Sequence, residues 1–487
     1  MADHNLARAA EDCFARLGDY ESLWFEDRWH TSGELHERAG RLAGWLRPAG
    51  IEPGDRVVVL MANSPEVTIA YNAIWRAGAV VTPVIFLVPP AELELILQDS
   101  GAELVLATPE LAANVPPEAH CVTTDEFPTL EEADPSEIVS RAPADPAALL
   151  YTGGTTGRSK GVLLSHENLW FAGKAGHDAG HIPGVVRGLL ALPLSHAYGL
   201  LVTVVGLHAV QQGEAVLMRW FDPVGWLELA QEHRTQISAV VPSMIQLLLA
   251  QPIEDYDLSN LSHIVSGGAP LPTELAQELI RRIPQLEVRE GYGLTESSAL
   301  VTSTRPGQSR LGSVGKPVPG TEVRVDGEGE VGEILVRSPM VMLGYWNQPE
   351  ATDETIVDGW LHTGDLGYLD DDGYLHIVDR KKDLIIRGGF NVFPRDVEGA
   401  LLEHPAVAAA GVVGRPDEAH GEEVVAFVEL RRGQEAETDD LVAFAKERIG
   451  GYKYPREVHV VPSLPLTPVG KVDRKKLRER LREEATA

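Results

Sequence analysis

Cysteine is nearly absent: Cys13 and Cys121 are the only two in 487 residues. Two thiols make neither a disulfide framework nor a four-ligand metal knuckle, and their scarcity suits a reducing, cytoplasmic setting. Basic charge is also short. The 42 Lys and Arg stand against 72 Asp and Glu, a formal charge of -30. That balance argues against general nucleic-acid binding, and it names no partner, because acidic surfaces chiefly serve solubility. The opening residues, Met1-Ala2-Asp3-His4-Asn5, have no basic segment leading into an apolar core, so no secretory signal is expected. An unbroken apolar span is missing as well. The run from Gly188 to Gly213 carries no charge and is long enough for a membrane, but Pro193, Ser195, His196, Tyr198, Gly199, Gly206 and His208 interrupt it. It reads as a buried helix in a large core, and no integral membrane span is expected. No internal repeat or low-complexity tract is present.

What is there belongs to a folded chain with more than one core. A length of 487 residues exceeds one compact core and implies two to four substructures, and 44% hydrophobic with 23% charged residues is ordinary for a globular protein. Apolar residues recur at helical spacing after Thr31-Ser32 (Leu35, Ala39, Leu42, Ala43, Leu46) and after Ser64-Pro65 (Ile69, Ala73, Ile74, Ala77). Ala91 to Asp99 is helical again. Short apolar strands alternate with these helices at Val57 to Leu60, Val80-Val81 and Leu104 to Leu106, with further ones at Ile237 to Val241, Ile264-Val265 and Val288. Such alternation predicts an α/β fold whose mostly parallel sheet is covered on both faces. Pro116 to Pro146, acidic and Pro-rich, reads as a surface connection. From Thr321 the pattern turns to short β segments, with a hairpin turn at Asp370-Asp371-Asp372-Gly373. Residues 384–487 carry a small α+β pattern of their own. The expected division is a large domain over 1–380, a hinge at 381–383 and a small domain over 384–487.

One stretch stands out chemically. Leu149-Leu150-Tyr151-Thr152-Gly153-Gly154-Thr155-Thr156-Gly157-Arg158-Ser159-Lys160-Gly161 places a Gly/Thr loop with one Lys between two apolar runs. Strand, phosphate-gripping loop, strand is the natural reading, since glycines let backbone N–H groups approach phosphate oxygens and Lys adds a point charge. The common nucleotide loop G-x-x-x-x-G-K-[ST] does not fit, because Ser159 precedes Lys160 and Gly161 follows it. Four more segments carry reactive side chains. Glu290-Gly291-Tyr292-Gly293-Leu294-Thr295-Glu296 offers an aromatic face, a hydroxyl and a hard carboxylate suited to Mg²⁺. His362-Thr363-Gly364-Asp365 is most simply a capped turn. The basic cluster Arg380-Lys381-Lys382 leads into Gly388-Gly389, and Pro465-Leu466-Thr467-Pro468-Val469-Gly470-Lys471 presents a lone lysine near the C-terminus.

In order and spacing, these five elements resemble the adenylate-forming superfamily of acyl-CoA synthetases, peptide-synthetase adenylation domains and luciferases. The chain departs from that pattern at Gly153, where the superfamily carries Ser, and at Ser159, where it carries Pro. The resemblance implies a small mobile C-terminal domain and an ATP site made by Thr152, Gly153, Gly154, Thr155, Thr156, Gly157 and Lys160. Gly268 and Ala269, within Gly267-Gly268-Ala269-Pro270-Leu271, would flank the adenine. Tyr292 would pack on it, beside Gly293. Thr295 would contact the α-phosphate, Glu296 would hold Mg²⁺, and Asp365 with Arg380 would take the ribose. Lys471 would bridge the substrate carboxylate and the α-phosphate, Lys382 would be the hinge, and Gly388-Gly389 would line the coenzyme A tunnel.

The same resemblance bears on the acid. Amino-acid-activating members usually place an Asp after the phosphate loop, whereas Leu192-Pro193-Leu194-Ser195-His196-Ala197-Tyr198-Gly199-Leu200 contains no acid. Malonate-type ligases carry Arg beside the adenine Tyr; here Gly291 stands there, with Arg289 two residues earlier. The segment is similar to that of fatty and aryl acyl-CoA ligases, with His196 at the junction of acyl pocket and thiol tunnel. The expected reaction joins a lipophilic carboxylic acid to coenzyme A at the expense of ATP. An acyl carrier protein is the alternative acceptor, and a non-catalytic acyl-nucleotide binder is the alternative of another class.

Overall fold

The computed structural model describes residues 4–152, 159–327, 330–417, 419–467 and 472–486. It is a mixed α/β protein with a large N-terminal and a small C-terminal part. Two compact units are resolved: the first comprises Met1–Val323, Leu335–His362 and Asp371–Leu375, the second Arg324–Ile334, Thr363–Asp370 and His376–Ala487.

Among the described residues of the first unit, the strands in chain order are β1 (Glu21–Phe25), β2 (Arg28–Thr31), β3 (Arg56–Leu60), β4 (Val80–Pro83), β5 (Leu104–Ala107), β6 (Cys121–Thr123), β7 (Pro146–Thr152), β8 (Lys160–Ser165), β9 (Arg187–Leu190), β10 (Glu214–Leu217), β11 (Ile237–Val240), β12 (His263–Ser266), β13 (Glu287–Tyr292), β14 (Thr302–Ser303) and β15 (Lys316–Pro317). They form two sheets. One runs β15-β14-β13-β12-β11-β9-β10-β1-β2, and the other runs from the short strand Gly344–Tyr345 through β8-β7-β4-β3-β5-β6. β3, β4 and β5 pair in parallel, as do β9 through β13 in their sheet. The continuous apolar character of β3, β4 and β5 follows from burial on both faces, whereas β11 and β12 alternate between half-buried and buried residues.

Three apolar layers hold the unit. Val57, Val59, Val81, Leu104 and Leu106 pack with Leu42, Ile74, Leu169 and Leu200 of the helices Ser32–Leu46, Pro65–Arg76, His166–Gly180 and Ala197–Gly206. The opposite faces of β3 and β5 (Val58, Leu60, Val105) meet Leu93 and Ile96 of the helix Pro90–Ser100. Leu189, Val216, Val240, Ile264 and Val288 pack on a third set of helices, Pro223–Glu232, Pro242–Leu249 and Thr273–Arg282. Local chemistry sets the helix starts: Thr31 Oγ1 accepts from the N–H of Glu34, and Pro65 and Pro90 occupy first-turn positions where no N–H is needed.

Two sequence readings are corrected. Residues 116–146 are not a bare connection: β6 pairs with β5, and Val122 and Phe127 reach the core. Val122, Phe127 and Ile138 are buried but irregularly spaced in an acidic segment, and give no periodicity to read. The uncharged run from Gly188 is not one helix either. It is the end of β9, a loop through Pro193, and the ten-residue helix Ala197–Gly206. Among the described residues no helix is long and apolar enough to cross a membrane. The helices Leu6–Leu17 and His166–Gly180 and the hairpin β1–β2 were not anticipated from sequence.

In the second unit, antiparallel strands Val407–Asp417 and Gly421–Leu430 are flanked by Glu457–Val461, parallel to the latter, and by a hairpin of Ile385–Arg387 and Phe390–Val392. Gly388 and Gly389 form its two-residue turn with φ of 57° and 80°, the left-handed pair that a tight hairpin requires. Helices Pro394–Leu402 and Thr438–Arg448 cover one face through Val397, Leu401 and Leu441. The helix Arg474–Thr486 covers the other through Leu477 and Leu481.

Candidate active site

β7 and β8 pair antiparallel so that Thr152 faces Lys160 across the base of the Gly/Thr loop. Gly153, Gly154, Thr155, Thr156 and Gly157 lie outside the described residues. Lys160 Nζ sits 4.6 Å from the ring centroid of Tyr345, a cation–π contact. The Tyr345 hydroxyl in turn donates to Glu296 Oε1 at 2.9 Å. Burial, and then the Glu296 charge, push the Tyr345 phenol above its ordinary value, so it remains a donor. One ring therefore ties the loop lysine to the carboxylate of the Tyr-Gly-x-Thr-Glu segment. Sequence reasoning missed Tyr345, since no spacing rule links it to a residue 49 positions away.

The Tyr292 segment is tightly folded. Thr295–Ser297 make a single 3₁₀ turn, and Ser298 and Ala299 follow with φ of 53° and 64°, a conformation unusual for residues with side chains. The turn doubles back so closely that a Cβ on Gly293 would lie 2.3 Å from the Ala299 carbonyl. Strand pairing of β12 with β13 places Gly268 and Ala269 beside the Tyr292 end, and Gly268 has φ of 76°.

Glu290 is buried on the face of β13 opposite Arg289 and Gly291, and its carboxylate accepts from the backbone N–H groups of Leu271 and Gly312. Burial outweighs those bonds and raises its pKa from 4.5 to about 7. The unfolded chain therefore ionises first. The stability held by protonated Glu290 is intact below pH 4.5 and falls as pH rises toward 7. The loss amounts to about 3 kcal/mol at 1.36 kcal/mol per pKa unit. Glu290→Gln is expected to raise stability at pH 8 by about 2–3 kcal/mol and to change little at pH 4. Urea midpoints at the two pH values check this; equal shifts at both would refute it.

His196 is the N-cap of the helix Ala197–Gly206, with Nδ1 accepting from the N–H of Tyr198 at 3.3 Å. An accepting Nδ1 leaves the proton on Nε2, so the ring is a neutral donor at that atom. Two residues on, the Tyr198 hydroxyl donates to the Val265 carbonyl at 3.1 Å, tying this helix to β12.

Within the second unit, buried Asp365 pairs with Arg380 Nε at 3.0 Å, and the neighbouring Lys381 pairs with Glu333 at 2.9 Å. Lys382 is exposed in the short turn Lys381–Asp383. Lys471 lies outside the described residues, but the base of its segment is pinned. Leu466 and Val472 form an antiparallel bridge, and the N–H of Asp473 donates to the Pro465 carbonyl at 2.8 Å. Arg474 follows immediately and is held by Glu398 at 2.9 Å and Asp383 at 3.3 Å.

A separate cleft of about 620 Å³, lined by Ser64, Thr108, Arg219 and Trp220, opens at the carboxyl ends of β3 and β5. It contains none of the motif residues, and Glu66, Glu110 and Asp125 on its wall oppose a phosphate.

Residues 10–346 match the sequence profile of the AMP-binding enzyme family, and residues 396–471 match that of the AMP-binding enzyme C-terminal domain. The chain belongs to the AMP-binding enzyme family. It is 38% identical to a feruloyl-CoA synthase from Amycolatopsis sp, over 92% of this chain and 94% of that one. It is 34% identical to a long-chain-fatty-acid–CoA ligase from Bacillus subtilis (strain 168), over 100% of this chain and 95% of that one. The crystal structure of ATP-bound MatB from Rhodopseudomonas palustris superposes with a TM-score of 0.89 at 31% identity, covering 98% and 99% of the two chains. By class the protein is an enzyme, an acid–thiol ligase of the AMP-forming acyl-CoA synthetase kind, whose substrates are a small carboxylic acid, ATP and coenzyme A.

Proposed function

We propose that the enzyme activates a lipophilic fatty or aryl acid as its adenylate and passes the acyl group to coenzyme A in the cytoplasm. The observation that carries this reading is the linked set Lys160, Tyr345 and Glu296, a cation and a carboxylate held by one ring next to Thr295. The acid-free segment 192–200 and the names of the fatty-acid and feruloyl relatives favour a lipophilic acid.

In the first half-reaction a carboxylate oxygen of the acid attacks the α-phosphorus of ATP. The bond to the β-phosphate oxygen breaks, and pyrophosphate leaves. Thr152, Gly153, Gly154, Thr155, Thr156, Gly157 and Lys160 would hold the departing phosphates. Gly268, Ala269, Tyr292 and Gly293 would seat the adenine, and Asp365 with Arg380 the ribose. Thr295 and Lys471 would meet the charge that builds at the α-phosphate. Glu296 Oε2 has no partner among the described residues, and a half-exposed hard oxygen suits Mg²⁺, which takes one or two carboxylates together with substrate phosphates. When bound there, the ion would neutralise charge on the phosphate oxygens.

In the second half-reaction the coenzyme A sulfur attacks the acyl carbonyl, the bond to the phosphate oxygen breaks, and AMP leaves. The small domain, 384–487, would turn about the 381–383 hinge at Lys382. That motion would withdraw Lys471 and bring Gly388-Gly389 beside the pantetheine arm. His196 would stand between acyl group and thiol, donating from Nε2.

Pyrophosphate release measured across a panel of acids, with coenzyme A added or withheld, tests the reading. Release with fatty or aryl acids and acyl-CoA as product is expected; no ATP-dependent release with any acid would sink it. Tyr345→Phe keeps the ring under Lys160 and removes the hydrogen bond to Glu296. A bond to a charged acceptor is worth about 1.5 kcal/mol, so kcat/KM for Mg·ATP should fall about 10-fold with little change in the KM for the acid. An unchanged value would separate Tyr345 from the ATP site.

A further inference from the structure

The face of the nine-stranded sheet that carries Arg289 differs from its other face. Across β9, β11, β12 and β13, the residues Leu190, Ala239, Val265 and Arg289 lie in one row. Their neighbours on the other face, Leu189, Val240, Ile264 and Val288, are buried in the core. Leu190, Ala239 and Val265 are only half-buried, although they sit on central strands of a large unit. Central strands keep accessible surface only where a trough runs over them, and this one is floored by small apolar side chains. Tyr198 walls it: the ring lies 3.2 Å from where a Cβ on Gly267 would stand.

Arg289 occupies the end of that row. The residue is 2% exposed, yet Nε and Nη2 have no hydrogen-bond partner among the described residues, and no carboxylate pairs with the guanidinium there. Burial lowers its pKa, with Glu287 opposing at longer range; His263 and Tyr198 are the other titratable groups that face it. Glu287 is already engaged by the Gly307 N–H at 2.8 Å and lies 3.3 Å from His263 Nδ1. A buried, unpaired guanidinium is costly for a fold, and a planar fork of donors is matched by an oxyanion. The strand alternation supplies the approach. Gly291 shares the face with Arg289, and a Cβ there would meet only the Thr302 carbonyl, at 3.3 Å, within 4 Å. Gly291 puts no side chain of its own between the Tyr292 end of β13 and Arg289, a stretch of three residues, about 10 Å at 3.3 Å per residue.

We propose that Arg289 is a specificity-determining residue that binds an acceptor oxygen, a second carboxylate or a phenolic oxygen, at the far end of the acid from the carboxyl group that reacts. This rests on the ligase reading and narrows its acid: lipophilic in the middle, as Leu190, Ala239 and Val265 require, and oxygen-bearing at the tip. The acceptor stands on the order of 7–10 Å from the reacting carboxyl, which fits a 4-hydroxycinnamic acid or an eight-carbon dicarboxylic acid.

The test uses matched pairs in the pyrophosphate assay on the full chain: 4-hydroxycinnamate against cinnamate, and octanedioate against octanoate. The oxygen-bearing member of at least one pair is expected to have a kcat/KM about 10–100-fold higher, because a site built to bond an oxygen is left unpaired by the analogue without it. The preferred pair says whether a phenol or a carboxylate is taken. Arg289→Met should invert the preference, raising the plain acid and lowering the oxygenated one, while Arg289→Lys should retain part of it. Preference for the plain acid in both pairs, or an equal change of both members in the variants, would overturn the proposal. Should Arg289→Met fail to fold, the wild-type ratios and Arg289→Lys still decide. Turnover of plain acids without preference defeats the Arg289 assignment alone, whereas no turnover of any acid defeats the ligase reading itself.

Discussion

Lys471→Ala is expected to cut adenylate formation by about 10²–10³-fold, the range seen when one preorganised group facing transition-state charge is removed. Transfer of the acyl group from synthetic acyl-AMP to coenzyme A should stay within about threefold of wild type, because the lysine has no part in that half-reaction if the small domain has turned it away. ATP–pyrophosphate exchange reads the first half, and acyl-CoA formed from the synthetic adenylate reads the second. Equal losses in both would mean that Lys471 stays at the site throughout, and domain alternation would have to be abandoned. Lys471→Arg should restore little: charge returns, but a planar guanidinium on a longer stem does not replace a compact ammonium.

The largest effect on stability is expected from Arg474→Ala. Arg474 lies against Glu398 at 2.9 Å, Asp383 at 3.3 Å and Asp379 at 3.8 Å, and Asp379 is fully buried. Glu398 is only 15% exposed, and burial holds its pKa above the ordinary value even with the arginine present. Removing the cation leaves Glu398 in low dielectric without its counter-charge, while Asp383 keeps Arg478 at 2.7 Å, and such a change costs about 3–5 kcal/mol. The second unit should unfold at lower urea, and amide exchange in Pro394–Leu402 and Arg474–Thr486 should rise before that of the first unit. The sign of the pH effect follows. In the variant the Glu398 pKa rises further, so its protonated form holds the fold, and stability is lost as pH climbs through that raised value. The gap between variant and wild type should therefore narrow on acidification. A gap independent of pH would point to lost packing of the arginine stem instead.

Most of the fold was legible in the sequence because its signals are local. Val57 to Leu60 and Leu104 to Leu106 are buried on both faces and read as strands from composition alone, and Ser64-Pro65 announces a helix by its cap and first-turn proline. The weak places were those where structure depends on partners distant in sequence. β6 is a three-residue strand completed by β5, and the hairpin β1–β2 is joined to the sheet through β10. The site divides the same way. The loop around Lys160 and the Tyr292-to-Glu296 segment are contiguous and could be read. Tyr345 reaches Glu296 across 49 residues, and Arg474 reaches Asp383 across 91. Arg289 was visible as a residue, but its burial without a partner is a property of the packed sheet. A line of text carries no record of which face of β13 is half-open.

That strand has a consequence for redesign. Because side chains alternate across β13, Glu290 and Tyr292 point one way while Arg289 and Gly291 point the other. Position 289 can therefore be randomised as a library for new acids, whereas any side chain at 291 would press on the Thr302 carbonyl at 3.3 Å. Positions 293, 298 and 299 should be left alone, since the reverse turn there has room for no side chain on Gly293 and already holds two residues at positive φ. Arg289 and Glu290 thus stand back to back on opposite sides of a single six-residue ribbon, so one can be changed without altering the other's face.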